Sequence, residues 1–167
     1  MLSKIIRTDD DGAALIARLV LALVIFPHGA QKALGWFGGF GAAGTVGFMD
    51  AMGIPAALAW LAIAAEFLGS IALVIGFLGR VAAFGIMVNM IVATLTVHLP
   101  NGFFMNWTGQ QRGEGYEFFL LAIGLALVVI IKGSGAMSVD RGLTRRLVWG
   151  GGSRTTSLPR ASGGTRR

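Results

Sequence analysis

Four apolar stretches constrain this chain more than any other feature, because each approaches the roughly 20 residues that cross a ~30 Å hydrocarbon core. They lie near residues 13 to 35, 54 to 77, 80 to 99 and 116 to 132. Runs this long cannot rest in water, and in lipid the backbone must satisfy its own hydrogen bonds, so each is expected to be helical. Charge is scarce enough to agree. Of 167 residues, 54% are apolar and 13% charged, against about a quarter charged in soluble domains, and mean hydropathy is +0.72. The expected fold class is therefore all-α: an integral membrane, antiparallel four-helix bundle of the cell membrane, of the bacterial inner-membrane type, with the lipid bilayer as its first partner.

The ends of the runs carry recognisable signals. Asp9, Asp10 and Asp11 precede the first, where carboxylates cap a helix N-terminus and favour its dipole. Arg18 interrupts that run and the preceding segment ends in the acidic triplet, so it is expected to stay on the protein and not be cleaved as a signal. Pro55 suits the first turn of the second helix. Only Gly76 to Gly79 separates the second run from Arg80, which forces an antiparallel hairpin. The fourth run stops at Lys132, with Gly133 and Gly135 beyond it. The twenty-six glycines follow no fixed period, so no solenoid or collagen repeat is indicated.

Orientation follows from the basic residues. Lys4 and Arg7 precede the first run, Arg80 stands between the second and third, and Lys132 with Arg141, Arg145, Arg146, Arg154, Arg160, Arg166 and Arg167 follow the fourth, whereas the other two loops hold only Arg112. Both termini are expected to be cytoplasmic, with residues 36 to 53 and 99 to 115 outside. The domain organisation read from this is a cytoplasmic segment 1–12, a transmembrane domain 13–142, and a basic, disordered cytoplasmic tail 143–167. Its arginines lie among Gly, Ser, Thr and Pro without stacking aromatics, so no nucleic-acid partner is expected. Inside-positive topology explains them, with contact to anionic lipid heads as the second reading.

A charge at mid-bilayer costs about 2.5 to 3.5 kcal/mol on insertion scales, so ionisable residues inside the runs are the functional candidates. They are Arg18, His28, Lys32, Glu66, His98 and Glu117, with Asn89 as a neutral companion. On an ideal helix Lys32 lies about 40° and His28 about 80° from Arg18, so the three share one side of the first helix. Pro27 removes a backbone hydrogen bond beside His28 and is expected to kink it. Glu66 shares a face with Ala59, Ala62, Gly69 and Ser70, small residues that let helices approach. By charge, Arg18 is the first expected partner of Glu66 and Lys32 the second.

His98 and Glu117 fall near the outer surface by this topology, and His28 about 6 Å beyond the midplane on the same side. Such a cluster suits a quinone head group, with His28 and Glu66 handling protons and Lys32, His98, Glu117 and Arg18 as ligand-binding groups. Trp36, Phe103, Phe104 and Trp107 are explained by an interfacial belt, and alternatively as walls of the pocket. Asn89 lies about 180° from His98 on a regular helix, so it is expected to bond another helix or a partner subunit. The cofactor is left unknown, with quinone as one candidate class. Haem is disfavoured because the two histidines differ in depth by several Å, and the seven methionines show no copper-like clustering and read as gap-fillers in the core. No metal is assigned. The chain has no cysteine, which excludes disulfides, iron–sulfur ligation and thiol redox chemistry. There is also no phosphate loop, nucleophile elbow or His-x-x-x-His.

The run Phe26-Pro27-His28-Gly29 with Gln31 and Lys32, Glu66 with Gly69, Gly76 to Arg80, His98 with Gly102, Phe103 and Phe104, Glu117, and the closing Gly133-Ser134-Gly135-Ala136 with Ser138, Val139 and Asp140 resemble the DoxX family over roughly 15 to 142. The resemblance implies a small four-helix membrane protein and a link to quinone-coupled redox chemistry, since relatives of the family's namesake include a membrane subunit of a thiosulfate:quinone oxidoreductase. Its matching polar positions are His28, Lys32, Glu66, Arg80, His98 and Glu117. Two functions follow as expectations. The leading one is a subunit that anchors or stabilises a membrane redox or respiratory assembly through a protein partner; the alternative is a quinone-binding oxidoreductase subunit. Whether the chain is itself an enzyme is left open.

Overall fold

In a computed structural model, residues 2–150 are described, with side chains from 3 to 146. Among these residues the chain is helical throughout its regular structure, with no strand. A short α1 (Leu2–Ile6) leads into α2 (Gly12–Leu34), α3 (Gly41–Ala51), α4 (Ala56–Ile75), α5 (Gly79–Ala93), α6 (Glu117–Lys132) and α7 (Val139–Gly150). Beyond α5 the chain continues as a π-turn, Thr94–His98, and a 3₁₀ turn, Leu99–Asn101. Three helical stretches, Gly12–Leu34, Ala56–Ile75 and Gly79–Asn101, are long and apolar enough to cross a membrane. The fourth apolar run forms α6, whose 16 residues span only about 24 Å.

The expected boundaries carry their chemistry. The Asp11 carboxylate accepts from the N–H groups of Ala13 at 2.9 Å and Ala14 at 3.1 Å, capping α2. Pro27 lies inside α2, which remains one helix. Gly76, at φ 68°, ends α4, and the chain turns into α5 at once. A side chain at Gly76 would collide with Ser138, its Cβ falling 2.3 Å from that of the serine. Two elements exceed the sequence reading. Residues 36 to 53 are not an open loop, since they contain α3, and α7 carries helix through Gly150, past residue 143 where the tail is expected to begin. The rest of that tail, 151–167, lies outside the described residues.

Helix α2 packs on α4, α4 on α5, α5 on α6, and α6 returns to α2. Their common core is Leu21, Ile25, Leu73, Ile86, Met90, Phe119 and Val129 filled in with alanines. Large apolar residues also cover the outside, with Leu23 75%, Leu121 72% and Ile131 71% exposed. A water-soluble monomer rarely exposes so much contiguous apolar surface; hydrocarbon is the solvent that suits it. At Gly29 a Cβ would lie 2.6 Å from the backbone nitrogen of Phe67, so only glycine permits α2 and α4 to touch backbone to backbone there. That contact sets Lys32, one turn further along α2, beside Glu66.

Candidate functional site

Glu66 is 2% exposed, on the inner face of α4. Lys32 of α2 forms an ion pair with its Oε2, and Asn89 of α5 donates its amide N–H to Oε1 at 2.5 Å. Three helices thus converge on one carboxylate. The partners retain donors: an ammonium has three N–H groups and a carboxamide two, and each uses one on Glu66. His28, one turn before Lys32, packs its ring 5.8 Å from Phe118 of α6.

These four side chains line a cavity of about 350 Å³, with Ile25, Met90, Phe118 and Phe119 as apolar walls and Phe48, Met49 and Met52 as a cover from α3 and its C-terminal end. His98 lies on the same cavity. Its Nδ1 is 2.8 Å from the Glu114 carbonyl oxygen, and a carbonyl only accepts, so Nδ1 donates in that bond. The ring rests 4.2 Å from that of Phe119. Donors, imidazole rings and a carboxylate therefore line a largely apolar chamber that can orient a flat, carbonyl-bearing molecule and hold protons beside it.

The structure corrects several expectations. Arg18 does not pair with Glu66: its position is nearly four turns from Lys32, about 21 Å along α2. The Arg18 guanidinium, 1% exposed, instead donates to the carbonyl oxygens of Leu73, Val74, Ser134, Ala136 and Met137. All five of its N–H groups are thereby used, at the electronegative C-terminal end of α4, and it takes no part in the cavity. Glu117 is also turned elsewhere. Its Oε1 accepts from the Met105 N–H at 2.8 Å and the Trp107 indole at 3.1 Å, which ties the loop between Asn101 and Glu117 to the start of α6.

Asn89 and His98 do line one cavity, against the expectation from a regular helix. The π-turn at Thr94–His98 advances less rotation per residue than an α-helix, and so reduces the half-turn that would separate them. Asn89 does bond another helix, as expected. Trp36, Phe103, Phe104 and Trp107 are exposed and line no part of the cavity; Phe118 and Phe119 do. Met49 and Met52 had no legible signal, because their contribution depends on α3, and neither had the Glu114 carbonyl, since a backbone acceptor has no residue-type signature. Among the described residues, no group of three or more His, Cys, Asp or Glu side chains is placed to hold a metal ion.

Residues 13–99, which carry His28, Lys32, Glu66, Asn89 and His98, match the DoxX family. The chain belongs to the DoxX family. This DoxX protein is 30% identical over 137 residues to the inner membrane protein YqjF of Escherichia coli, covering 82% of the chain and 96% of that relative. It is 25% identical over 126 residues, 75% of the chain and 83% of the relative, to a Bacillus subtilis protein named "Putative oxidoreductase CatD". No solved structure matches it. With its membrane-length apolar helices, this DoxX protein is a multi-pass protein of the cell membrane, of the bacterial inner-membrane type, in contact with lipid.

Proposed function

We propose that this DoxX protein is the quinone-binding membrane subunit of a redox assembly, with the head group held in the cavity around Glu66. The observation that carries this reading is a buried carboxylate bridged by Lys32 and Asn89 on a chamber that also presents His28 and His98. Spare N–H donors on Lys32 and Asn89 suit carbonyl oxygens, Phe118 and Phe119 suit a flat ring, and Glu66 with His28 can accept and return protons. A bound quinone supplies the two-electron, two-proton chemistry. The chain supplies orientation, a dry environment and proton-holding groups. The relative named as an oxidoreductase is in keeping with this assignment. In the same reading α2, α4, α5 and α6 form a four-helix bundle with both termini cytoplasmic, and residues 1–12 and 143–150 lie on that side.

The test is gentle purification from native membrane, followed by mass spectrometry of the lipid extract and of co-eluting proteins. Stoichiometric quinone on wild type, lost in Glu66→Gln with the protein still folded, is the expected result. A stable complex whose DoxX subunit retains no quinone would instead assign the chain to anchoring alone, and the polar cluster to architecture.

A further inference from the structure

The cavity is not the only hollow that reaches Asn89. A second one, of about 790 Å³, runs along the outside of the molecule between α4 and α5, from Pro55 to Ala72 on one helix and from Leu78 to Thr96 on the other. That is about 25 Å of groove, nearly the thickness of a bilayer core. Its floor is low because small residues face one another: Ala62, Ala65 and Gly69 on α4, Ala82 and Gly85 on α5. Exposed Leu61, Leu68, Phe84 and Val88 form its rims. None of its lining residues is charged.

Met49, Ile54, Asn89, Val92 and Thr96 line both hollows. The groove thus adjoins the chamber along these five residues, and Asn89, whose amide bonds Glu66, stands at the boundary. Polarity changes once along this path, from an uncharged trough to a cluster containing Lys32, Glu66 and His28. We infer that the two hollows form one site for a single amphiphile: its head lies against the Lys32–Glu66–Asn89 cluster and its apolar tail lies in the α4/α5 groove. The ligand then enters sideways from the bilayer, between the end of α3 and the outer half of α5. This rests on the head-group reading above and deepens it, by requiring a tail and naming the helices that hold it.

The test compares two probes on the detergent-purified full chain: decylubiquinone, with a ten-carbon tail, and its tail-less parent 2,3-dimethoxy-5-methyl-1,4-benzoquinone. Val88→Trp and Leu61→Trp place bulk at the rim from lipid-exposed positions, where a large apolar side chain is tolerated, and unchanged gel-filtration profiles verify folding. Because each probe partitions into the same detergent in every sample, comparison across variants isolates the groove. The expected result is about tenfold weaker decylubiquinone binding in both variants with unchanged binding of the tail-less probe. Equal affinity for decylubiquinone in wild type and variants overturns the groove assignment while leaving the cavity reading intact. Failure of both probes on wild type overturns the cavity reading and the groove with it. As a second measurement, Leu61→Cys supplies a cysteine to a chain that has none; efficient disulfide dimers in the membrane would put a second copy in the groove and also overturn the inference, and monomers support it.

Discussion

Asn89 on α5 donates to Glu66 on α4 across 2.5 Å, occupying the carboxylate oxygen that Lys32 leaves free. Removing either partner leaves Glu66, 2% exposed, short of a neutralising or hydrogen-bonding group. Lys32→Met is expected to destabilise the protein in detergent by on the order of 3 kcal/mol, because it leaves a buried carboxylate unpaired. The double variant Lys32→Met/Glu66→Gln buries no net charge, and recovers most of that loss. Thermal unfolding of the four proteins of the cycle measures the coupling; additive effects of the two substitutions would contradict the ion pair.

Arg18 predicts a different pattern. Its five donors all end on backbone carbonyls, so Arg18→Lys, with at most three donors, keeps the charge yet strands carbonyls at the end of α4 and in the 134–137 turn. The expected cost is about 1 to 3 kcal/mol, seen as a lower unfolding temperature. Affinity for a cavity ligand in the folded fraction should not change, which separates Arg18 from Lys32.

Asp140 is 1% exposed and caps α5. Its two carboxylate oxygens accept from the Leu78 N–H at 2.9 Å and the Gly79 N–H at 3.0 Å, and from the Ser134 hydroxyl at 2.6 Å. Asp140→Ala should therefore cost about 2 kcal/mol or more, at the upper end for a lost cap, and should loosen the α4–α5 turn. Protease cleavage between residues 76 and 80 gives the readout; resistance equal to wild type would argue against the cap.

Asp11 supplies the pH dependence. The Ala14 N–H, then Lys132, hold its carboxyl below the usual 3.8. A carboxylate whose folded value is depressed stabilises the fold above its unfolded value, and that contribution fades as pH falls through the lowered one. Wild type is expected to be more stable than Asp11→Asn above about pH 4, with the difference shrinking in stronger acid. Parallel melting curves over that range check the sign; a difference that grows in acid would reverse it.

At Gly29, where a Cβ would lie 2.6 Å from the Phe67 nitrogen, Gly29→Ala must push α2 from α4. Lys32 and Glu66 separate with the helices, so this single methyl is expected to weaken ligand binding and lower stability together. Binding titrations on the folded variant, measured beside its melting curve, provide the check.

Hydropathy alone was enough to find α2, α4, α5 and α6, their approximate ends and their solvent, because long apolar runs leave the backbone one way to satisfy its hydrogen bonds in lipid; α3 and α7 carry no such signal. The sequence also marked His28, Lys32 and Glu66 as ionisable groups inside apolar runs, which need polar partners. The partner of each is set by helix packing. Charge favours Arg18 for Glu66, but antiparallel packing of α2 on α4 puts Arg18 level with Leu73 and Glu66 level with Gly29, and electrostatic pairing cannot act across the intervening turns. The facing of Asn89 and His98 depends on a π-turn, and the cover over the cavity on α3. Neither follows from ideal helical period, because each is set by how helices and loops pack against one another rather than by any residue alone.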